Sequence, residues 1–115
     1  MCLNRRRLGT EKELLAVQYL IAQGYQILER NFSCKIGEID IIASYNHAII
    51  FVEVKYRSNQ KFGRAVEAVS YTKQNTIRKV ASYYLVTKLH QSNVECRFDV
   101  IGMDGEQITH IIDAF

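Results

Sequence analysis

Proline is absent from the 115 residues, so nothing in the chain marks a linker between domains. Cysteine is sparse: Cys2, Cys34 and Cys96 are odd in number and far apart. That argues against a disulfide framework or a Cys-x-x-Cys metal site and makes a reducing, cytoplasmic setting the expected one. No stretch approaches the ~20 unbroken apolar residues of a membrane span, so no membrane association is expected. Met1 to Gly9 is basic but leads into Glu11, Lys12 and Glu13, not into the apolar run of a signal peptide. Excess charge is small as well, Lys and Arg numbering 15 against 12 Asp and Glu, for a net charge of +3. Such a balance permits a polyanionic partner without demanding one. A phosphate-cradling glycine loop, a nucleophile elbow and a Cys/His zinc pattern are all missing, so no nucleotide cofactor is expected. His47, His90 and His110 have no metal-ligand spacing.

What remains is an ordinary globular mix, 48% apolar and 23% charged, in a length that suits one domain spanning residues 1–115. A helix is expected from about Thr10 to Gln23, with Thr10 as N-cap, Glu13 as its capping-box partner and Gly24 as the stop. Its inward stripe reads Glu13, Ala16, Val17 and Leu20, with Leu14 and Ile21 alongside. Residues 1–8, including Arg5, Arg6 and Arg7, then form a flexible basic arm. Strands are predicted over Tyr25–Phe32, Gly37–Tyr45 and Ala48–Tyr56, the last two joined by a two-residue Asn46-His47 turn. A helix from about Tyr71 to His90 follows, carrying Ile77, Val80, Ala81, Tyr84, Leu85 and Leu89 at 3.6-residue spacing. The stretch Phe62–Ser70 reads as a short helical turn or irregular segment. Strands near Val94–Met103 and Gln107–Ile112, around Asp104-Gly105, close the chain. The order α-β-β-β-α-β-β predicts an α/β (α+β) domain, a mixed sheet with helices packed on it.

The chemistry is concentrated on the central hairpin. Gly37-Glu38-Ile39-Asp40-Ile41-Ile42-Ala43 and Ile50-Phe51-Val52-Glu53-Val54-Lys55 read as interior strands, yet they carry four charges. Alternation puts Glu38 and Asp40 on one face of their strand, and Glu53 and Lys55 on one face of the next. Counted outward from the Asn46-His47 turn, Asp40 falls opposite Glu53 and Glu38 opposite Lys55. Two carboxylates about 5 Å apart repel by roughly 3 kcal/mol at an effective dielectric near 20. A shared proton, a lysine or a divalent cation must offset that. With the Val54 carbonyl, the pair forms an oxygen-rich site for Mg²⁺ or Mn²⁺ suited to phosphodiester hydrolysis, Lys55 orienting the attacking water. A purely structural cluster of Asp40, Glu53 and Lys55 accounts for the same spacing, and both readings stand at this point.

Asp40 followed by Glu53-Val54-Lys55 resembles the Asp…Glu-x-Lys signature of the PD-(D/E)XK nuclease superfamily. A wider string carries more weight: Gly9…Glu13-Leu-Leu-Ala16, Gly24-Tyr25…Leu28…Arg30-Asn31, Gly37-Glu38-Ile39-Asp40, Phe51-Val52-Glu53-Val54-Lys55-Tyr-Arg57, Lys73, Arg97-Phe98-Asp99-Val100 and Ala114-Phe115. Over nearly the whole chain it is similar to the YraN family of small bacterial proteins, related by fold to archaeal Holliday-junction resolvases. The resemblance implies a restriction-endonuclease-like core whose site lies on the hairpin. Asp40 and Glu53 would be metal ligands, Lys55 the catalytic lysine, and Glu13 the first-helix glutamate that reaches the metal, often through water. It implies Mg²⁺ or Mn²⁺ as cofactor, branched or otherwise structured DNA as substrate, and a homodimer. Lys12 departs from the glycine that many relatives carry before that glutamate. The alternative is a DNA-binding or adaptor domain that keeps the fold without useful catalysis.

Further cations are candidates for nucleic acid. Lys73 and Gln74 open the second helix and point along its buried stripe towards the hairpin, where they could hold a phosphate; a solvated first turn is the competing explanation. Arg57, just past Lys55, is placed to meet the scissile strand, and an exposed strand-end arginine accounts for it equally well. Arg5, Arg6 and Arg7 would neutralise backbone phosphates and make affinity salt-dependent, with a disordered solubilising tail as the competing explanation. Asp99, on a strand predicted beside the site, is expected to be structural, with orientation of Arg97 or of another group near the site as the alternative.

Overall fold

The computed structural model describes residues 2–57, 69–90, 94–105 and 107–115, without the side chains of residues 2–10 and Arg57. Its elements run α1 (Cys2–Ala22), β1 (Gln26–Ser33), β2 (Glu38–Tyr45), β3 (Ala48–Arg57), α2 (Tyr71–Thr87), β4 (Cys96–Asp104) and β5 (Gln107–Ile111). The five strands form one mixed sheet in the order β1-β2-β3-β4-β5. β3 and β4 pair in parallel, and the other neighbours are antiparallel. This is the expected α/β class, compatible with a restriction-endonuclease-like core. The parallel pair needs a crossover, and α2 lies within it.

Each helix covers one face of the sheet. Ala16, Val17 and Leu20 of α1 pack with Ile41, Ala43, Ile50, Val52, Ile101 and Met103. Ile77, Val80, Ala81, Tyr84 and Leu85 of α2 pack with Phe32, Ile39, Ile42 and Phe51 on the other side. Central strands buried on both faces explain the near-continuous apolar runs of β2 and β3. Both stripes are thus as the helical spacing predicts, except that Leu14 and Ile21 are exposed. They lie beside the α1 stripe without entering it.

Local signals account for most element ends. Asn46 and His47 have φ of 50° and 67°, the left-handed pair of a type I′ turn, and Tyr45 pairs with Ala48 as expected. Gly24, at φ 96°, closes α1: its N–H donates to the Ile21 carbonyl at 3.0 Å and that of Tyr25 to the Leu20 carbonyl at 3.0 Å, a Schellman ending. α2 starts at Ser70, whose Oγ accepts from the Lys73 N–H at 3.1 Å, and it ends at Thr87, short of His90.

Two further boundaries differ from expectation. α1 begins at Cys2, so Thr10 is an interior residue and not its N-cap, and residues 2–8 are the helix's first turns instead of an arm. Asp104 belongs to β4 and pairs with Gln107, so the last turn is displaced by one residue towards Gly105. Of the ambiguous stretch Phe62–Ser70, residues 62–68 lie outside the described residues.

Gly37 fixes how closely β2 approaches α2. A Cβ there would sit 2.6 Å from the Thr76 methyl and 3.5 Å from a Val80 methyl. On the α1 side, Asp99 is fully buried and accepts from Arg97 Nε and Nη2 at 2.9 Å each, from the Asp113 N–H at 3.0 Å, and pairs with His110 Nε2 at 2.7 Å. Burial pushes its carboxyl up, but the His110 and Arg97 hydrogen bonds outweigh that and hold it below the usual range. Asp99 does orient Arg97. These contacts join β4, β5 and the C-terminal turn.

Candidate active site

The β2–β3 ladder runs from Tyr45–Ala48 to Ile41–Val52 and stops there, whereas β3 stays paired with β4 as far as Arg57–Asp104. The sheet therefore opens between β2 and β3 where the charged residues begin. Asp40 and Glu53 are not ladder partners, nor are Glu38 and Lys55, so the register expected from the turn ends one residue short of them. Alternation fails at the same place. Ile39 belongs to the α2 layer and Ile41 to the α1 layer, although two residues along a regular strand share a face.

Asp40 fills the opening. Its Oδ2 accepts the Val54 N–H at 2.8 Å, so a side chain takes the part of the missing ladder acceptor. Glu53, on the next residue of the opened edge, is only 4% exposed. Burial, followed by a hydrogen bond to Asp40 and its charge, pushes the Glu53 carboxyl from 4.5 up to about 8, while Lys73 and Lys55 pull the other way. The Lys73 Nζ lies 3.4 Å from Glu53 Oε2 and the Lys55 Nζ 4.0 Å from the same oxygen. A lysine in the first turn of a helix opposes the helix dipole. The Glu53 Oε2 gives the Lys73 ammonium a polar partner there, which draws the start of α2 to the site.

On the α1 side a cavity of about 270 Å³ is lined by Glu13, Asn31, Glu38, Asp40, Val54, Tyr56 and Lys12. Lys12 stands over the Tyr56 ring, 4.5 Å from its centre. Burial and the Asp40 charge raise the Glu13 carboxyl, against Arg30 and a hydrogen bond from Asn31. Glu13 from α1, Asp40 from β2 and Glu53 with Lys55 from β3 thus meet around one break in the sheet. Lys73 joins them from α2. The Gln74 Nε2 donates instead to the Val69 carbonyl at 3.2 Å. The side chains of Arg57, Arg5, Arg6 and Arg7 lie outside the described residues. Tyr56 and Asn31 line the site although their spacing assigns them no role. Beyond its place in the family-like string, the signal for Asn31 is its residue type, since asparagine in a run of strand formers suits a left-handed kink.

The donor set fits a hard cation. Two carboxyls sharing one hydrogen bond, one of them held protonated well above its ordinary range, form a site short of positive charge. With the Val54 carbonyl, they offer the oxygen ligands that Mg²⁺ and Mn²⁺ take. Among the described residues no three His, Cys, Asp or Glu side chains close on a single point, so further ligands would be water or substrate oxygens. No helix among the described residues is long and apolar enough to cross a membrane.

Comparison with known proteins agrees with the residue string. A family profile described as "Uncharacterised protein family UPF0102" matches residues 12–103. A UPF0102 protein of Clostridioides difficile is 49% identical over 115 residues, covering 98% of this chain and 100% of that one. One from Lachnoclostridium phytofermentans is 46% identical over 113 residues, covering 98% and 96%. A third, from Thermodesulfovibrio yellowstonii, is 45% identical over 111 residues, covering 96% and 97%. Over nearly its full length, then, this chain belongs to the UPF0102 (YraN) family.

Proposed function

We propose that this protein is a metal-dependent endonuclease that hydrolyses phosphodiester bonds in branched or otherwise structured DNA. The observation that carries the reading is the break in the sheet, which brings Asp40 and Glu53 together beside two lysines. Asp40, Glu53 and the Val54 carbonyl would hold Mg²⁺ or Mn²⁺, with Glu13 reaching the same site through water. The bound ion would polarise the scissile phosphate and lower the pKa of the attacking water. Lys55, about one third exposed, keeps its ammonium at the mouth of the site, where it orients that water and stabilises charge developing on phosphorus-bound oxygens. Lys73 stands beside Glu53, ready for a backbone phosphate, with Arg57 and the Arg5–Arg7 segment as further contacts. Cutting two strands symmetrically takes two such sites, so a two-fold dimer belongs to this reading.

A second reading is a DNA-binding module without hydrolysis. It draws on Lys73 and Lys55, whose ammonium groups already stand 3.4 and 4.0 Å from Glu53 Oε2, where a cation would bind. Incubation of branched, single-stranded and duplex DNA with Mg²⁺ or Mn²⁺ separates the two. The wild type should cut, and Asp40→Asn and Glu53→Gln should bind without cutting. Intact substrates with wild type and variants alike, with binding retained, would leave the module and remove the nuclease.

A further inference from the structure

Asn31 is a strand residue in a conformation strands do not use. Its φ is 54°, inside β1, between the ladder pairs Arg30–Ile41 and Phe32–Ile39. By that count it faces Asp40. Left-handed backbone is costly for a side-chain-bearing residue, less so for asparagine, and such residues cluster where surrounding structure enforces them. Here the kink coincides with a specific contact. With its nitrogen turned towards α1, the one orientation that satisfies both ends of the amide, Asn31 donates to Glu13 Oε1 at 2.6 Å and Oε2 at 3.2 Å. Asn31, Glu13 and Asp40 line one cavity.

We infer that Asn31 is a positioning residue, whose left-handed kink aims its amide at both oxygens of Glu13 and so fixes that carboxylate towards Asp40. This rests on the metal-site reading above and extends it to a residue outside the Asp…Glu-x-Lys set. The chemistry explains the residue type. Glycine would tolerate the backbone but carries no donor. Aspartate tolerates it too but would set a second carboxylate against Glu13. Asparagine combines a tolerated left-handed φ with a neutral N–H₂ group. A carboxylate that approaches a metal usually depends on such a partner, and losing one typically weakens metal binding 10–100-fold.

Asn31→Gly removes the amide while keeping the backbone at ease. Titration of the full-length chain with Mn²⁺ alone, followed by calorimetry, should show affinity about tenfold weaker for Asn31→Gly and for Glu13→Gln. The double variant should be no weaker than the weaker single one, because both changes remove the same fixed carboxylate. Its unfolding midpoint should stay near that of Glu13→Gln, which separates positioning from a general loss of structure. Wild-type affinity in Asn31→Gly, losses that multiply in the double variant, or a loss in Asn31→Gly without one in Glu13→Gln each overturn the inference and leave the metal site standing. A wild type that binds no Mn²⁺ overturns the metal site and the inference with it. Should Asn31→Gly not fold, NMR of the metal-free wild type and Glu13→Gln decides. The Asn31 side-chain N–H₂ signals should move when Glu13 loses its charge, and unmoved signals refute the contact.

Discussion

Replacing Glu53 by glutamine should make the metal-free protein more stable, although it alters a residue at the centre of the site. The native carboxyl keeps its proton up to about pH 8, whereas the unfolded chain releases it near 4.5. Between those values the native state binds more protons than the unfolded state, so raising the pH through this window lowers stability. The full shift corresponds to a ceiling of roughly 5 kcal/mol above pH 8, and to about 3 kcal/mol at pH 7. Exposure does not discount it, because Glu53 is buried. A glutamine does not titrate and can still donate to Asp40. Urea unfolding of both proteins in chelator should give similar midpoints near pH 4 and a gap that widens steadily towards pH 8, in favour of Glu53→Gln. Adding Mg²⁺ should stabilise the wild type by mass action and flatten its slope, with little effect on the variant. A wild-type stability that stays level from pH 5 to pH 8, or a Glu53→Gln protein weaker at every pH, would refute the claim that this acid is buried at a cost.

Two other substitutions probe the frame around the site. Asp99→Asn removes the negative charge and one of the two oxygens that Arg97 and His110 share in a fully buried setting, and should cost about 3–5 kcal/mol in urea unfolding. Because the Asp99 carboxyl is held below the usual range, its contribution is complete above the unfolded-state pKa and disappears on acidification, so the gap between wild type and variant should narrow at low pH. Gly37→Ala drives a methyl into Thr76 at the foot of α2 and should destabilise by about 1–3 kcal/mol. It should also loosen the Lys73–Glu53 pair, seen as a further rise in the Glu53 pKa by carboxyl NMR; an unchanged pKa would mean that α2 yields without moving Lys73.

Elements governed by neighbours in the chain were legible. The Asn46-His47 turn follows from two adjacent residues, one of them an asparagine, taking positive φ, and that turn sets the register from Ala48 to Val52. The buried stripe of α2 follows from spacing alone, and Gly24 stops α1 as its conformational freedom predicts. The start of α1 was misplaced because Thr10 has the capping residue type without the capping position. Leu14 and Ile21, alongside the α1 stripe in sequence, stay exposed because apolar type does not say which side of a helix the sheet will take. The charged set Glu13, Asp40, Glu53 and Lys55 was legible as a pattern. The reason it gathers was not: alternation counts residues along a hydrogen-bonded strand, and the ladder ends before reaching them.

Residue order therefore carries the helices, the strands, the hairpin and the kinds of side chain available for chemistry, since these depend on periodicity and on local backbone preference. Folding adds the opening between β2 and β3, the burial that keeps Glu53 protonated, the approach of Lys73 from a helix on another part of the chain, and the left-handed turn of Asn31 beneath Glu13. Each of these joins groups distant along the chain and depends on how much water is excluded between them. Neither distance nor dielectric is written in a string of residues, and both arise when the two helices close on the sheet.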